Sequence, residues 1–207
     1  MLIIFTLSTS LFAQRYKVSI VNGLKQTNVK EIEGLTTNID LPNFIYGVGL
    51  DYELHVGHGS WFLNYIYYPE TSGNINDSTK ITLSGFEFNF DFHLLHLTKP
   101  LGSDIIPSTK FSLFPLIGLT AGKFYIKDLN DHVLDDFFVL TSISLNSRNY
   151  FNNDSSSNKK INFIWGFNLK YSYDITNSYW KNNDLNLKFK GNKYHGFYGG
   201  VILGVAF

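Results

Sequence analysis

From Thr82 to Leu94 the chain alternates without a break. Phe86, Phe88, Phe90, Phe92 and Leu94 fall on one parity; Gly85, Glu87, Asn89, Asp91 and His93 fall on the other. Successive side chains of a strand point to opposite faces, so this period of two predicts a strand with one aromatic and one polar face. Three further segments behave alike. In Phe44–Val56 the run Phe44, Tyr46, Val48, Leu50, Tyr52, Leu54 and Val56 opposes Ile45, Gly47, Gly49, Asp51, Glu53 and His55. Ile161–Asp174 sets Phe163, Trp165, Phe167, Leu169, Tyr171 and Tyr173 against Asn162, Gly166, Asn168, Lys170, Ser172 and Asp174. Tyr194–Phe207 sets Phe197, Val201, Leu203, Val205 and Phe207 against Gly196, Tyr198, Gly200, Gly204 and Ala206.

Four weaker segments, Tyr16–Lys25, Trp61–Tyr68, Phe111–Ile126 and Tyr179–Lys190, bring the expected strands to eight. Phe111–Ile126 is apolar on both faces; its small residues Ser112, Gly118, Thr120 and Gly122 predict that the even face points inward. Phe137–Asn146 is also strand-like. A ninth strand puts the C-terminus at the wrong end of a closed sheet, so this stretch is assigned to a long loop, Lys127–Lys160. In this order Tyr16, Trp61, Tyr171, Tyr173 and Tyr179 fall near one rim, and Tyr46, Tyr67, Trp165 and Phe189 near the other.

Alternation alone fits a soluble sandwich or barrel as well as a membrane barrel. A soluble barrel buries the apolar face and wets the polar one; a membrane barrel does the reverse. The polar faces here carry repeated glycine. A narrow interior needs small residues between large ones, whereas a wet outer face is weakened by them. Aromatics concentrate toward strand ends, where amphipathic rings suit two membrane interfaces. Charged residues are 16% of the chain and aromatic residues 17%, against about a quarter charged in soluble domains. No run approaches the ~20 apolar residues of a membrane helix.

The first residues, Met1–Ala13, read as an export signal cleaved after Ala13: a short apolar run, small and polar residues, then alanine. No Lys or Arg precedes the run, and Leu11 is large for its place. Residues 14–207 are then the barrel. The zero net charge argues against a nucleic-acid binder. The absence of cysteine excludes disulfides, thiolate metal sites, a Cys nucleophile and an N-terminal lipid anchor on cysteine.

With its export signal, its dyad pattern and its ending Val201-Ile202-Leu203-Gly204-Val205-Ala206-Phe207, the chain resembles the small outer-membrane β-barrel proteins of Gram-negative bacteria. The segment Pro115-Leu116-Ile117-Gly118-Leu119-Thr120-Ala121-Gly122 is similar to the Pro/Gly-containing fifth strand of generic outer-membrane barrel domains, which include PorT-like and OmpX-like proteins. The resemblance implies an eight-stranded antiparallel up-and-down barrel in the outer membrane, with lipid as its surroundings. It also implies that Val201, Leu203, Val205 and Phe207 are read by the barrel-insertion machinery.

The candidate chemistry is the charged set on the inward faces: Asp51, Glu53, His55, Glu87, Asp91, His93, Lys170, Asp174, Lys188 and Lys190. Unpaired charge inside a narrow barrel is costly, so opposite signs are expected to pair into a polar network that fills the lumen. The functional alternative is a carboxylate–His acid/base site for lipid or peptide hydrolysis. Asp51 and His55 share a face but lie roughly 13 Å apart along a strand, so any partner must come from neighbouring strands. His55 with His58, and His93 with His96, are spaced three apart, which sends each pair to opposite faces and forms no zinc pair. No nucleophile elbow, phosphate loop or zinc-protease helix motif occurs, and no cofactor is expected. Residues 127–160, with Asp128, Asp131, Asp135 and Asp136, are the expected contact for an extracellular partner. The reading is an outer-membrane barrel with a closed lumen and a structural or loop-mediated role. Its rivals are a lipid-modifying or proteolytic enzyme in the same membrane, and a secreted barrel that binds an apolar ligand.

Overall fold

In a computed structural model, residues 17–27, 39–56, 59–75, 79–94, 111–128, 133–150, 162–176, 179–182, 187–190 and 194–206 are described. They form eleven strands: β1 (Lys17–Gln26), β2 (Ile39–Asp40), β3 (Phe44–Val56), β4 (Gly59–Ile75), β5 (Thr79–Leu94), β6 (Phe111–Asp128), β7 (Val133–Tyr150), β8 (Asn162–Asp174), β9 (Tyr179–Asn182), β10 (Leu187–Lys190) and β11 (Gly196–Ala206). Each wall strand pairs antiparallel with its neighbours in the order β1-β3-β4-β5-β6-β7-β8-β11. Pairing of β11 with β1 (Val18 opposite Val205) closes the circle. The wall is an eight-stranded up-and-down barrel, and no wall edge is left open, as hydrocarbon requires.

A path across the strands from Lys17 passes Glu53, Phe62, Asp91, Gly118, Ser142 and Ser172 and reaches Gly196. Gly196 lies two residues from Tyr198, the partner of Lys25. One circuit therefore climbs about ten residues, a stagger that tilts every strand against the barrel axis.

The number of wall strands matches expectation, but one member differs. Val133–Tyr150 is not part of a loop. It is an 18-residue wall strand paired along β6 and β8. Tyr179–Lys190 is not a wall strand. It is split into β9 and β10, a small hairpin joined to β7 where Asp135 faces Lys181. The parity of a closed barrel is kept because one strand enters and another leaves.

The exchange reverses the direction of β8. Trp165 lies opposite Leu203 at the rim that holds Lys17 and Ala206, the near rim, while Tyr171 lies opposite Phe197 toward the other, the far rim. Trp61, opposite Leu54, shares the near rim, and Tyr46 and Tyr67 belong to the far half. Trp165 and the pair Tyr171 and Tyr173 thus exchange the rims expected for them. Tyr16, the 1–13 signal segment and Phe207 lie outside the described residues.

Side chains follow the inverted polarity. Phe88 is 56% exposed on the outer surface while Asp91, three residues on, is 0% exposed inside. Phe86 and Phe92 share the outer face and are partly covered by neighbouring rings, Tyr65 and Tyr125 for the first and Trp61 for the second. On β6 the even residues point inward, as the small residues predict.

Strands β4 to β7 run farther at the far rim than the other four. Ile75 pairs with Thr79 and Lys127 with Val133. The inner face of this extension is apolar: Ile81, Leu83, Phe124, Ile126 and Phe138 are buried together with Leu41 and Tyr194, which close over it. β2 continues the same sheet through Ile39 opposite Ile75.

Candidate functional site

The inward residues of alternate strands meet in layers along the barrel axis. Nearest the near rim, Lys17 Nζ donates to Glu53 Oε1 at 2.7 Å. The Arg148 guanidinium donates to Asp51 Oδ2, and its Nε lies 3.6 Å from Glu53 Oε2. Arg148 also lies over the Phe62 ring at 5.5 Å, beside the buried cluster Phe62, Phe114 and Leu116. The His93 ring meets Phe114 edge-on at 5.3 Å.

In the middle layer, Lys170 Nζ lies 2.7 Å from Asp91 Oδ2 and donates to Asn89 Oδ1 at 3.0 Å. Thr120 Oγ1 donates to the same Asn89 oxygen. Gly118 stands where any Cβ would strike the Asp91 carboxylate, which explains the glycine at that point. Farther along the axis, Lys25 Nζ donates to Glu87 Oε1, and Tyr68 OH donates to Glu87 Oε2 at 2.9 Å.

Among the described residues, the carboxylates Asp51, Glu53, Glu87 and Asp91 thus face the cations Lys17, Lys25, Arg148 and Lys170, a balanced set of buried charge. Such pairs stand only where geometry and hydrogen bonds offset the loss of hydration. Each of these carboxylates is tied to a cation inside the wall.

Toward the far mouth the interior contacts are of a different kind. Tyr194 packs on Phe138 at 4.6 Å and Phe124 at 5.3 Å, and its hydroxyl donates to Asp136 Oδ2 at 2.9 Å. Burial, and then the Asp136 carboxylate, push the Tyr194 phenol well above its ordinary range. Asp174 accepts from Thr176 N at 2.8 Å and from Tyr194 N at 3.0 Å. It therefore holds the turn and the Tyr194 segment, and among the described residues no ion pair to it is seen.

Of the residues singled out by sequence, Asp51, Glu53, Glu87, Asp91, His93 and Lys170 are buried inside the wall. The backbone of His55 belongs to β3; its side chain lies outside the described residues. The backbone of Lys188 and Lys190 belongs to β10, which pairs with β9 rather than within the wall, and their side chains lie outside the described residues. The cations observed on the carboxylates Asp51, Glu53 and Glu87 are Lys17, Lys25 and Arg148, which the sequence did not single out. The first two share the parity of Ser19 and Gly23, the small-residue face of β1, and that was the available signal. Val201 and Leu203 point outward, and Phe207 lies outside the described residues.

The outer wall has its own order. Across β5, β6 and β7, successive outward rows read Phe88, Ala121 and Val139; then Phe86, Lys123 and Phe137; then Ser84, Tyr125 and Asp135; then, on β5 and β6, Thr82 and Lys127.

No family model and no curated protein matches the chain. Among solved structures, the outer membrane protein OprG from Pseudomonas aeruginosa superposes with a TM-score of 0.51 at 8% identity, over 94% of this chain and 95% of that one. The wall has the fold of that barrel, eight antiparallel strands closed on themselves. Neisserial surface protein A aligns with a TM-score of 0.47 at 8% identity, over 93% of this chain and 95% of that one. The attachment invasion locus protein Ail of Yersinia pestis aligns with a TM-score of 0.41 at 11% identity, over 93% and 97%.

Proposed function

We propose that the chain is an outer-membrane protein whose barrel is a closed scaffold, with its role carried by the far rim rather than by transport through the lumen. The observation that carries this reading is the combination of an apolar exposed belt with an interior filled by paired charge and capped by Tyr194. An eight-stranded barrel leaves room for side chains rather than a wide water channel.

The extended strands β4 to β7 and the hairpin β9–β10 form the surface offered to an extracellular partner. That surface replaces the expected 127–160 loop, because residues 151–161 connect strand ends at the near rim. Resemblance in Pro115–Gly122 supports a place among the PorT-like and OmpX-like barrel domains. The outward row ending in Val201, Leu203 and Val205 supports reading of the last strand, with Phe207, by the insertion machinery.

An epitope inserted at residues 129–132, between β6 and β7, tests the reading. Antibody binding to intact cells, with the protein in the outer-membrane fraction and no large stable conductance in planar bilayers, is the expected result. An epitope reached only after the outer membrane is broken, or a steady wide-pore current, contradicts it.

A further inference from the structure

We infer that the outer face of β5 to β7 at the far rim is a docking site for a phosphate-bearing lipid, an inference that rests on the membrane-barrel reading above. Two independent features coincide there. Below, an apolar trough of about 680 Å³ runs around the outer wall from Val18 on β1 through Leu50, Leu63 and Phe88 to Ala121 and Val139, so its β6–β7 end lies one row from Lys123. Above it the wall turns cationic within one row. Lys123 emerges between Phe86 and Phe137, and its ammonium lies 5.1 Å from the centre of the Tyr125 ring. Lys127 follows opposite Thr82, and the exposed Lys80 lies two residues along β5 from Thr82.

The order of chemistry along the wall, from trough through aromatic rings to ammonium groups, matches the order in a lipid from acyl chain through carbonyl region to phosphate. Lysine stems lie along apolar surface while their ammonium groups reach the interface. Asp135 pairs with Lys123 and offsets part of its charge. Lys80 and Lys127 therefore supply most of the attraction for phosphate. A phospholipid with a neutral headgroup fills the trough equally well but gains nothing from the lysines, so the site selects for net negative charge.

The test uses the full protein in micelles holding equal amounts of dioleoyl phosphatidic acid and dioleoyl phosphatidylcholine, with retained lipid counted by native mass spectrometry. The wild type is expected to prefer phosphatidic acid by roughly fivefold per contacting lysine. K80Q/K127Q should bring the ratio near parity. A121F, with every lysine in place, should lower retention of phosphatidic acid by filling the trough. No preference in the wild type, or a preference that survives K80Q/K127Q, overturns the site; unchanged retention in A121F overturns its acyl part. Insertion of each variant into dioleoyl phosphatidylcholine vesicles is measured alongside. Failure of the wild type to insert rejects the membrane-barrel reading itself, whereas normal insertion without lipid preference rejects this site alone.

Discussion

Arg148 on β7 reaches Asp51 on β3 across the whole width of the barrel, four strands away in either direction around the wall. Its side chain is 1% exposed and is the largest of those fully buried. A single guanidinium thus ties opposite walls together and fixes the near half of the lumen. Lys170 to Asp91 and Lys25 to Glu87 do the same at successive levels, each spanning three strands.

Replacing Arg148 with Met should cost about 3–5 kcal/mol, because Asp51 and Glu53 stay buried without their cross-lumen partner. Adding Asp51→Asn to that variant should restore part of the loss. Urea unfolding in lipid vesicles measures both, and an unchanged midpoint for Arg148→Met refutes the role given to this pair.

Phe88→Arg should destabilise by roughly 2–4 kcal/mol, since the ring it replaces sits in the apolar belt. Thr82→Arg, above the belt on the same strand, should cost far less. Equal losses at the two positions, in the same vesicle assay, count against the placement of the belt.

The plug at the far mouth gives an alkaline signature. Tyr194 ionises near pH 10 in an unfolded chain but only well above that when folded. The stability it supports is complete below pH 10 and is lost as pH rises toward the folded value, with a slope of about 1.4 kcal/mol per pH unit. Unfolding free energies of wild type and Tyr194→Phe, followed from pH 9 to above pH 11 (roughly the window set by the ordinary phenol value), should converge at the alkaline end. Parallel curves contradict a buried neutral phenol.

Deletion of Phe207 should reduce assembly in cells far more than refolding into detergent, if the last strand is read during insertion. Comparable losses in both settings make the residue an interfacial anchor only.

The wall was legible wherever its two faces differ. Phe44–Val56 and Thr82–Leu94 show aromatic residues against Gly, Asp and Glu, and the strands observed there, β3 and β5, coincide with them. Val133–Tyr150 shows its strand character in Phe137–Asn146 but has no polar face in its first half, because its inward residues Leu134, Phe138 and Leu140 belong to the apolar core of the far mouth. Phe137, Phe138, Val139 and Leu140 then read as one apolar run, and period two vanishes although the strand is regular. The same cause blurs β6, where Phe114, Leu116, Phe124 and Ile126 all point inward. With β7 assigned to a loop, the inward Arg148 is missing from the expected lumen set. A parity argument cannot tell which strand-like segment to omit, only that one must be omitted.

On β5 the Phe86–Phe92 row lies on the outer face of the barrel while Glu87, Asn89 and Asp91 are buried inside it. Because the chain has no cysteine, single cysteines at each position from 86 to 92 can carry a nitroxide without background. In lipid vesicles, accessibility to oxygen should oscillate with period two. Positions 86, 88, 90 and 92 should be open to oxygen and closed to a polar nickel reagent, and the positions between them closed to both. Oxygen accessibility without that oscillation, or with its maxima at 87, 89 and 91, would contradict the inverted barrel.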